Sequence, residues 1–122
     1  MTKTILIIDD SASIRQMVAM TLSSAGLDVI EAVNGSDGYN KAITTTVHAV
    51  ITDLNMPIMN GIEFIRKYRQ HPASKAIPVI LLTTESDEEL KRQAKEAGAT
   101  GWIVKPFKQD QLLAVIKKVT GA

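Results

Sequence analysis

Three short runs of Ile, Leu and Val, apolar at nearly every position, constrain the fold of this chain most. They are Thr4–Ile8, Ala49–Thr52 and Pro78–Leu82. A strand exposed on one face would alternate apolar and polar residues, so unbroken runs indicate strands buried on both faces, as in a parallel sheet covered by helices. Two less uniform runs, Asp28–Ala32 and Gly101–Val104, are typical of edge strands.

Segments of helical periodicity follow each of these strands. They are Ser11–Ala25, Ser36–Thr44, Gly61–Arg69, Asp87–Ala97 and Asp110–Val119. Ser86 is the expected N-cap of the fourth helix, with Glu89 completing a capping box. Repeated strand–helix units imply parallel strands joined by right-handed crossovers. Five units are too few for an eight-fold barrel. We therefore predict an α/β fold, a doubly wound five-stranded parallel sheet of order 2-1-3-4-5 with five helices, as in flavodoxin-like proteins.

Length and composition favour one soluble domain spanning residues 1–122. The chain is 45% hydrophobic and 22% charged, with a formal net charge of +1. Such a small charge gives no reason to expect nucleic-acid binding. No apolar stretch approaches the roughly 20 residues of a membrane span, and the first ten residues do not form a secretory signal. The absence of Cys excludes disulfides and thiolate metal sites. We expect a cytoplasmic protein without membrane insertion.

Polar residues follow four of the predicted strands. Asp9-Asp10 comes after the first and Asp53 after the third, while Thr83-Thr84-Glu85 and Lys105-Pro106-Phe107 follow the fourth and fifth. The second strand contributes little. Ligands of doubly wound sheets bind at the carboxyl ends of the strands, where the strand order reverses. This point lies between the first and third strands, so the three acids should converge there.

The electrostatics of three converging acids favour a bound cation. Two carboxylates about 5 Å apart repel by roughly 3 kcal/mol at an effective dielectric constant of 20. Oxygen ligands without thiol or paired His favour a hard ion, and Mg2+ is the expected one. Lys105 can supply a further positive charge. A metal and a lysine beside a carboxylate suit phosphoryl transfer.

With these residues in place, the chain resembles the receiver domain of two-component response regulators. The resemblance covers essentially the whole chain and rests on Asp9-Asp10, Arg15, Asp53, Met56-Pro57, Gly61, Thr83 and Lys105-Pro106-Phe107. Because no residue follows Ala122, the chain is similar to stand-alone receivers, chiefly chemotaxis proteins of the CheY type.

The resemblance implies a phosphoacceptor site built on Asp53. Asp53 would attack a phosphohistidine of a partner kinase and form an acyl phosphate. Asp10 and Asp53 would ligate Mg2+ together with the backbone carbonyl of Asn55, and Asp9 would act mainly through ordered water. Lys105 would pair with a phosphoryl oxygen.

The resemblance also implies a switch. The Thr83 hydroxyl would bind the phosphoryl group, and Trp102, at the family's aromatic position, would move inward behind it. Asn55 and Glu85 would tune the lifetime of the phosphoryl group. The Lys105-Pro106 bond would be cis. We expect Arg15 to serve at the surface or in packing, and the two histidines, His48 and His71, to be structural or exposed.

The sequence supports one function over its alternatives. We expect a phosphorylation-activated monomer that is no enzyme but promotes its own phosphorylation and dephosphorylation. Its partners would be a histidine kinase, a target such as the flagellar motor switch, and a phosphatase. A phosphorelay intermediate or phosphate sink would use the same site. A haloacid-dehalogenase-like phosphatase would need a D-x-D arrangement after its nucleophilic strand, but Leu54-Asn55 follow Asp53 here. A flavodoxin-like electron carrier would need a Ser/Thr/Gly-rich phosphate loop after the first strand, where this chain has the acids Asp9-Asp10.

Overall fold

The fold alternates strands and helices along the whole described chain. The computed structural model describes residues 2–121. The strands are β1 (Thr4–Ile8), β2 (Asp28–Ala32), β3 (Ala49–Thr52), β4 (Val79–Thr83) and β5 (Gly101–Val104). The helices are α1 (Ala12–Ser24), α2 (Gly35–Thr44), α3 (Gly61–Arg69), α4 (Glu88–Ala97) and α5 (Gln109–Thr120), with a 3-10 turn at Pro72–Ser74.

All strand pairs are parallel, and the sheet order is β2-β1-β3-β4-β5. This confirms the predicted topology, including β2 and β5 as edge strands. The register aligns Ile8 with Ala32 on one side and with Thr52 on the other. The residues that follow β1 and β3 therefore emerge side by side at one edge of the sheet.

Helices cover both faces of the sheet, which explains the unbroken apolar runs. Leu6, Ile8 and Val50 pack with Phe64 of α3 and Ala94 of α4. The alternate strand residues Ile5, Ile7 and Ile51 pack on the other face, with α1 and α5. Neighbouring residues on one strand thus belong to different halves of the core, and both faces of the central strands are buried.

The fourth strand lies one residue later than its apolar run predicted. It begins at Val79 and ends at Thr83, whereas the prediction ran from Pro78 to Leu82. Pro78 has no N–H to donate to a neighbouring strand, although its carbonyl accepts the Val50 N–H at 2.9 Å. Thr83 is consequently the last residue of the strand.

The predicted cap of α4 at Ser86 was wrong. Asp87 is the N-cap, and its carboxylate accepts the N–H groups of Glu89 and Leu90 at 2.8 and 3.1 Å. Asp and Ser are about equally good N-caps, and the negative charge of Asp87 also interacts favourably with the positive end of the helix dipole. A capping box exists instead at α3, between Asn60 and Glu63.

Candidate functional site

The three acids that follow β1 and β3 converge as the sequence predicted. Asp9, Asp10 and Asp53 each offer one carboxylate oxygen, and these oxygens lie within 4.8 Å of one another. Backbone bonds set this arrangement, because the Asp53 N–H donates to the Ile8 carbonyl at 2.9 Å and the Asp9 N–H to the Ala32 carbonyl at 3.1 Å. The sheet register therefore places these carboxylates.

The three acids differ in exposure. Asp9 is buried, with 2% of its surface exposed, Asp10 is exposed and Asp53 is intermediate. One oxygen of Asp9 accepts the Ser11 N–H at 2.8 Å. One oxygen of Asp53 accepts the Leu54 N–H at 2.8 Å. Asp9 is therefore the most buried of the three acids, and Asp53 is less exposed than Asp10 but more exposed than Asp9.

Lys105 brings a positive charge to the same place from β5. Its Nζ lies 3.5 Å from Oδ2 of Asp9 and 3.5 Å from Oδ1 of Asp53, with 15% of its side chain exposed. The Lys105 N–H donates to the Thr83 carbonyl at 2.7 Å. The following bond to Pro106 is cis, as the resemblance implied. One ammonium thus bridges two of the three carboxylates.

The environment raises the pKa of Asp53 above its ordinary value. Burial is the main cause, and the charge of Asp9 adds to it, while Lys105 and the Leu54 N–H oppose the rise. The charged form of Asp53 is therefore costly without a further cation.

This raised pKa predicts a gain in stability when the charge is removed. Since the folded state holds the Asp53 proton more tightly than the unfolded chain, folding stability falls as the pH rises from the ordinary pKa of aspartate through the raised one. We expect Asp53→Asn, in EDTA at neutral pH, to unfold at a higher urea concentration than the wild type. The gain should vanish below the ordinary pKa of aspartate.

Urea titrations of both proteins at neutral and acidic pH measure this difference. Asp28→Asn, at an exposed position at the amino end of β2, controls for the loss of one surface acid. An Asp53→Asn protein that is less stable than the wild type at neutral pH would contradict the prediction.

The donor set of the acidic cluster fits Mg2+. It consists of carboxylate oxygens, which hard divalent cations prefer, and neither histidine of the chain belongs to it. The exposed residue Asn55 lies two residues after Asp53, in the loop that follows β3. Asp9, Asp10 and Asp53 are thus the residues that would hold the cation.

Thr83 and Trp102 both bind the backbone of one residue, Glu85. Oγ1 of Thr83 accepts the Glu85 N–H at 3.2 Å, and Nε1 of Trp102 donates to the Glu85 carbonyl at 2.9 Å. Thr83 is fully buried at the end of β4, whereas Thr84 is exposed. Of the two adjacent hydroxyls, only that of Thr83 contacts the backbone that Trp102 also contacts.

Sequence reasoning underestimated Arg15 and β2. Nη1 of Arg15 donates to the Asp9 carbonyl at 2.8 Å, and Nε donates to Glu31 on β2 at 3.1 Å. Arg15 was among the matching residues, but nothing in the sequence identified its partners. The two histidines are structural, as expected, because Nδ1 of His48 accepts the Thr4 N–H and Nδ1 of His71 accepts the Ala73 N–H.

Comparisons with known proteins agree on one family. The family model described as response regulator receiver domain matches residues 5–117. The phosphate regulon transcriptional regulatory protein PhoB of Pseudomonas aeruginosa is 37% identical over 117 residues, covering 96% of this chain and 51% of PhoB. Chemotaxis protein CheY1 of Helicobacter pylori is 37% identical over 119 residues, covering 96% of each chain. The chain thus spans about half of one relative and nearly all of the other.

Solved structures show the same fold. Chemotaxis protein CheY4 of Vibrio cholerae superposes with a TM-score of 0.94 at 42% identity, covering 98% of this chain and 99% of that one. Among residues 2–121, no helix combines the length and apolar character needed to cross a membrane.

Proposed function

The chain belongs to the response regulator receiver domain family, and from this premise we propose that Asp53 is its phosphoacceptor. Receiver domains accept phosphoryl groups from histidine kinases and are not classical enzymes. The observation that supports Asp53 here is the cluster of three carboxylate oxygens within 4.8 Å of one another, with Lys105 Nζ 3.5 Å from Asp53. Family membership also favours a phosphorylation-activated switch over a haloacid-dehalogenase-like phosphatase and a flavodoxin-like electron carrier.

The proposed reaction transfers a phosphoryl group from a nitrogen to an oxygen. A carboxylate oxygen of Asp53 attacks phosphorus, the bond from phosphorus to the imidazole nitrogen breaks, and the imidazole takes up a proton. Lys105 binds a phosphoryl oxygen and offsets the charge that reaches Asp53. Asp9, Asp10 and Asp53, with the Asn55 carbonyl, would hold Mg2+, which would supply positive charge beside the transferred group. Self-catalysed dephosphorylation is a separate step, in which water attacks the same phosphorus, the bond from phosphorus to the Asp53 oxygen breaks, and inorganic phosphate leaves with the Asp53 carboxylate restored.

Labelling by a small phosphodonor tests this function without a kinase. Incubation with acetyl phosphate and Mg2+ should add the mass of one phosphoryl group to the intact protein, and EDTA should prevent the addition. A protein that gains no mass under these conditions, or gains it equally in EDTA, would overturn the proposal.

We place the output in chemotaxis. The support is the CheY1 relative, since the two chains cover 96% of each other. In this proposal a cytoplasmic, monomeric protein binds a target such as the flagellar motor switch when phosphorylated, and a phosphatase resets it. PhoB, a transcriptional regulatory protein, shares the same domain, so the chemotaxis output needs a test of its own. A phosphotransfer profile against the histidine kinases of the source organism tests it, since transfer onward to a second histidine protein would indicate a phosphorelay.

The switch we propose passes through the backbone of Glu85. Thr83 contacts the N–H of this residue and Trp102 its carbonyl. When the Thr83 hydroxyl turns to a phosphoryl oxygen, it gives up the bond from Glu85, and the loop that Trp102 contacts can shift. Phosphorylation then biases a two-state equilibrium of loop and indole. Glu85 and Asn55, which flank the site, tune the lifetime of the phosphoryl group.

The fluorescence of Trp102, the only tryptophan, reports this switch. We expect its emission to change when acetyl phosphate and Mg2+ are added, because the indole N–H is bonded to the moving loop. The change should be much smaller in Thr83→Ala, since the hydroxyl that couples the site to Glu85 is lost.

Thr84→Ala is the matched control, because it removes the exposed neighbouring hydroxyl and should keep the full change in emission. Equal changes in Thr83→Ala and the wild type would refute the proposed route through Glu85.

A further inference from the structure

Arg15 links the acidic site to the edge strand of the sheet. It lies in the first turns of α1, with 16% of its side chain exposed. Its Nη1 donates to the backbone carbonyl of Asp9 at 2.8 Å, while its Nε donates to the Glu31 carboxylate at 3.1 Å. A planar guanidinium that makes two bonds in different directions has little freedom to turn.

The bond from Arg15 completes the hydrogen bonding of Asp9. The Asp9 N–H donates to the Ala32 carbonyl, one carboxylate oxygen accepts the Ser11 N–H, and the other lies 3.5 Å from Lys105. The carbonyl is the remaining polar group, and Arg15 binds it. Every polar atom of this buried acid therefore has a partner, which fixes both its backbone and its carboxylate.

Glu31 holds the guanidinium in place from β2. Its carboxylate binds Arg15, and its backbone carbonyl accepts a bond from Nζ of Lys41 on α2 at 2.6 Å. Glu31 pairs with Ile7 in the parallel ladder of β1 and β2, one residue before the strand end from which Asp9 emerges. The anchor of Arg15 is thus part of the same sheet edge as the site.

We propose that Arg15 is a positioning residue for the cation site. By holding the Asp9 carbonyl, it sets the turn Asp9-Asp10-Ser11, and this turn sets the spacing of the Asp9 and Asp10 carboxylates. The inference uses the proposed function only in taking Mg2+ as the cation. Its readout is cation binding, so it can fail while Asp53 is still labelled, and it can hold if labelling fails.

Charge and geometry make opposite predictions for Arg15→Met. Removal of a positive charge near a cation site should tighten Mg2+ binding if Arg15 acted only through its charge. Loss of the bond to Asp9 should weaken binding, because residues that orient metal ligands typically change metal affinity by about 10–100-fold. The sign of the change therefore separates the two roles.

Nuclear magnetic resonance of nitrogen-15-labelled protein measures both binding and order of the turn. In a Mg2+ titration we expect the Kd of Arg15→Met to rise about tenfold, with a smaller rise in Arg15→Lys, which keeps the charge but lacks the guanidinium fork. Without metal, the Ser11 amide, which donates to Asp9, should exchange faster with solvent in Arg15→Met. Neither readout depends on phosphorylation.

Arg66→Met, at an exposed position on α3, controls for the change of net charge and should bind Mg2+ as the wild type does. A Kd for folded Arg15→Met equal to or lower than that of Arg66→Met overturns the proposal, as does unchanged exchange at Ser11. If Arg15→Met does not fold, Arg15→Lys decides, and a Kd equal to that of the wild type overturns the proposal.

Discussion

We expect the Asp53→Asn variant to gain no phosphoryl group from acetyl phosphate and Mg2+, in contrast to the wild type. The amide has nearly the shape of the carboxylate but lacks the anionic oxygen that attacks phosphorus. The fold should persist, because the amide oxygen can still accept the Leu54 N–H that Oδ1 of Asp53 accepts at 2.8 Å. Intact-mass spectrometry after matched incubations measures the result.

Asp28→Asn is the control for this experiment. Asp28 is an exposed acid at the amino end of β2, paired with Thr4, and lies at the edge of the sheet opposite to the site. Its variant should be labelled to the wild-type level. Undiminished labelling of Asp53→Asn would show that another residue accepts the phosphoryl group and would remove Asp53 from its proposed role.

The second large effect is expected for Gly61→Ala. A Cβ at this position would lie 2.4 Å from the Asp53 carbonyl oxygen and 2.8 Å from Cδ2 of Leu81. Overpacking of this kind costs about 1–3 kcal/mol. The Asp53 backbone must also move, so we expect slower labelling in addition to a lower free energy of unfolding. Urea unfolding and the time course of the mass gain measure the two effects separately.

Gly101→Ala provides the matched substitution away from the site. There the added Cβ would meet only the Cδ1 tip of the Ile80 side chain, at 3.0 Å. We expect a smaller loss of stability and labelling at the wild-type rate. If Gly61→Ala were as stable as Gly101→Ala and were labelled as fast, the close approach of Gly61 to Asp53 would affect neither stability nor phosphorylation, and the prediction would be wrong.

Much of the fold could be predicted because its signals are local. Apolar runs, unbroken for β1 and β3 and less uniform for β2 and β5, located four of the five strands at their observed bounds, and the alternation of strands with helices favoured the observed sheet order. The fourth strand was displaced by one residue because an apolar Pro78 extends the run but cannot donate a ladder bond. The cap of α4 was misplaced because Ser86 and Asp87 both suit an N-cap, and the chain path before the helix decides between them.

The candidate site could be predicted in its acids and its lysine but not in its supporting contacts. Asp9, Asp10, Asp53 and Lys105 each follow a strand, so the topology alone brings them together. The bond from Arg15 to Glu31 joins residues 16 positions apart, and the bond from Trp102 to Glu85 joins residues 17 apart. Such partners depend on rotamers and loop paths that no periodicity encodes.

The sequence by itself determined the layered architecture and the identity of the acidic cluster, because burial and strand ends leave residue patterns that can be recognised one segment at a time. Only the tertiary structure decided which side chains hold this cluster in place. Arg15 binds the Asp9 carbonyl, Thr83 accepts the Glu85 N–H, and Trp102 donates to the Glu85 carbonyl. Directional bonds between distant segments exist only once the strands and helices have packed.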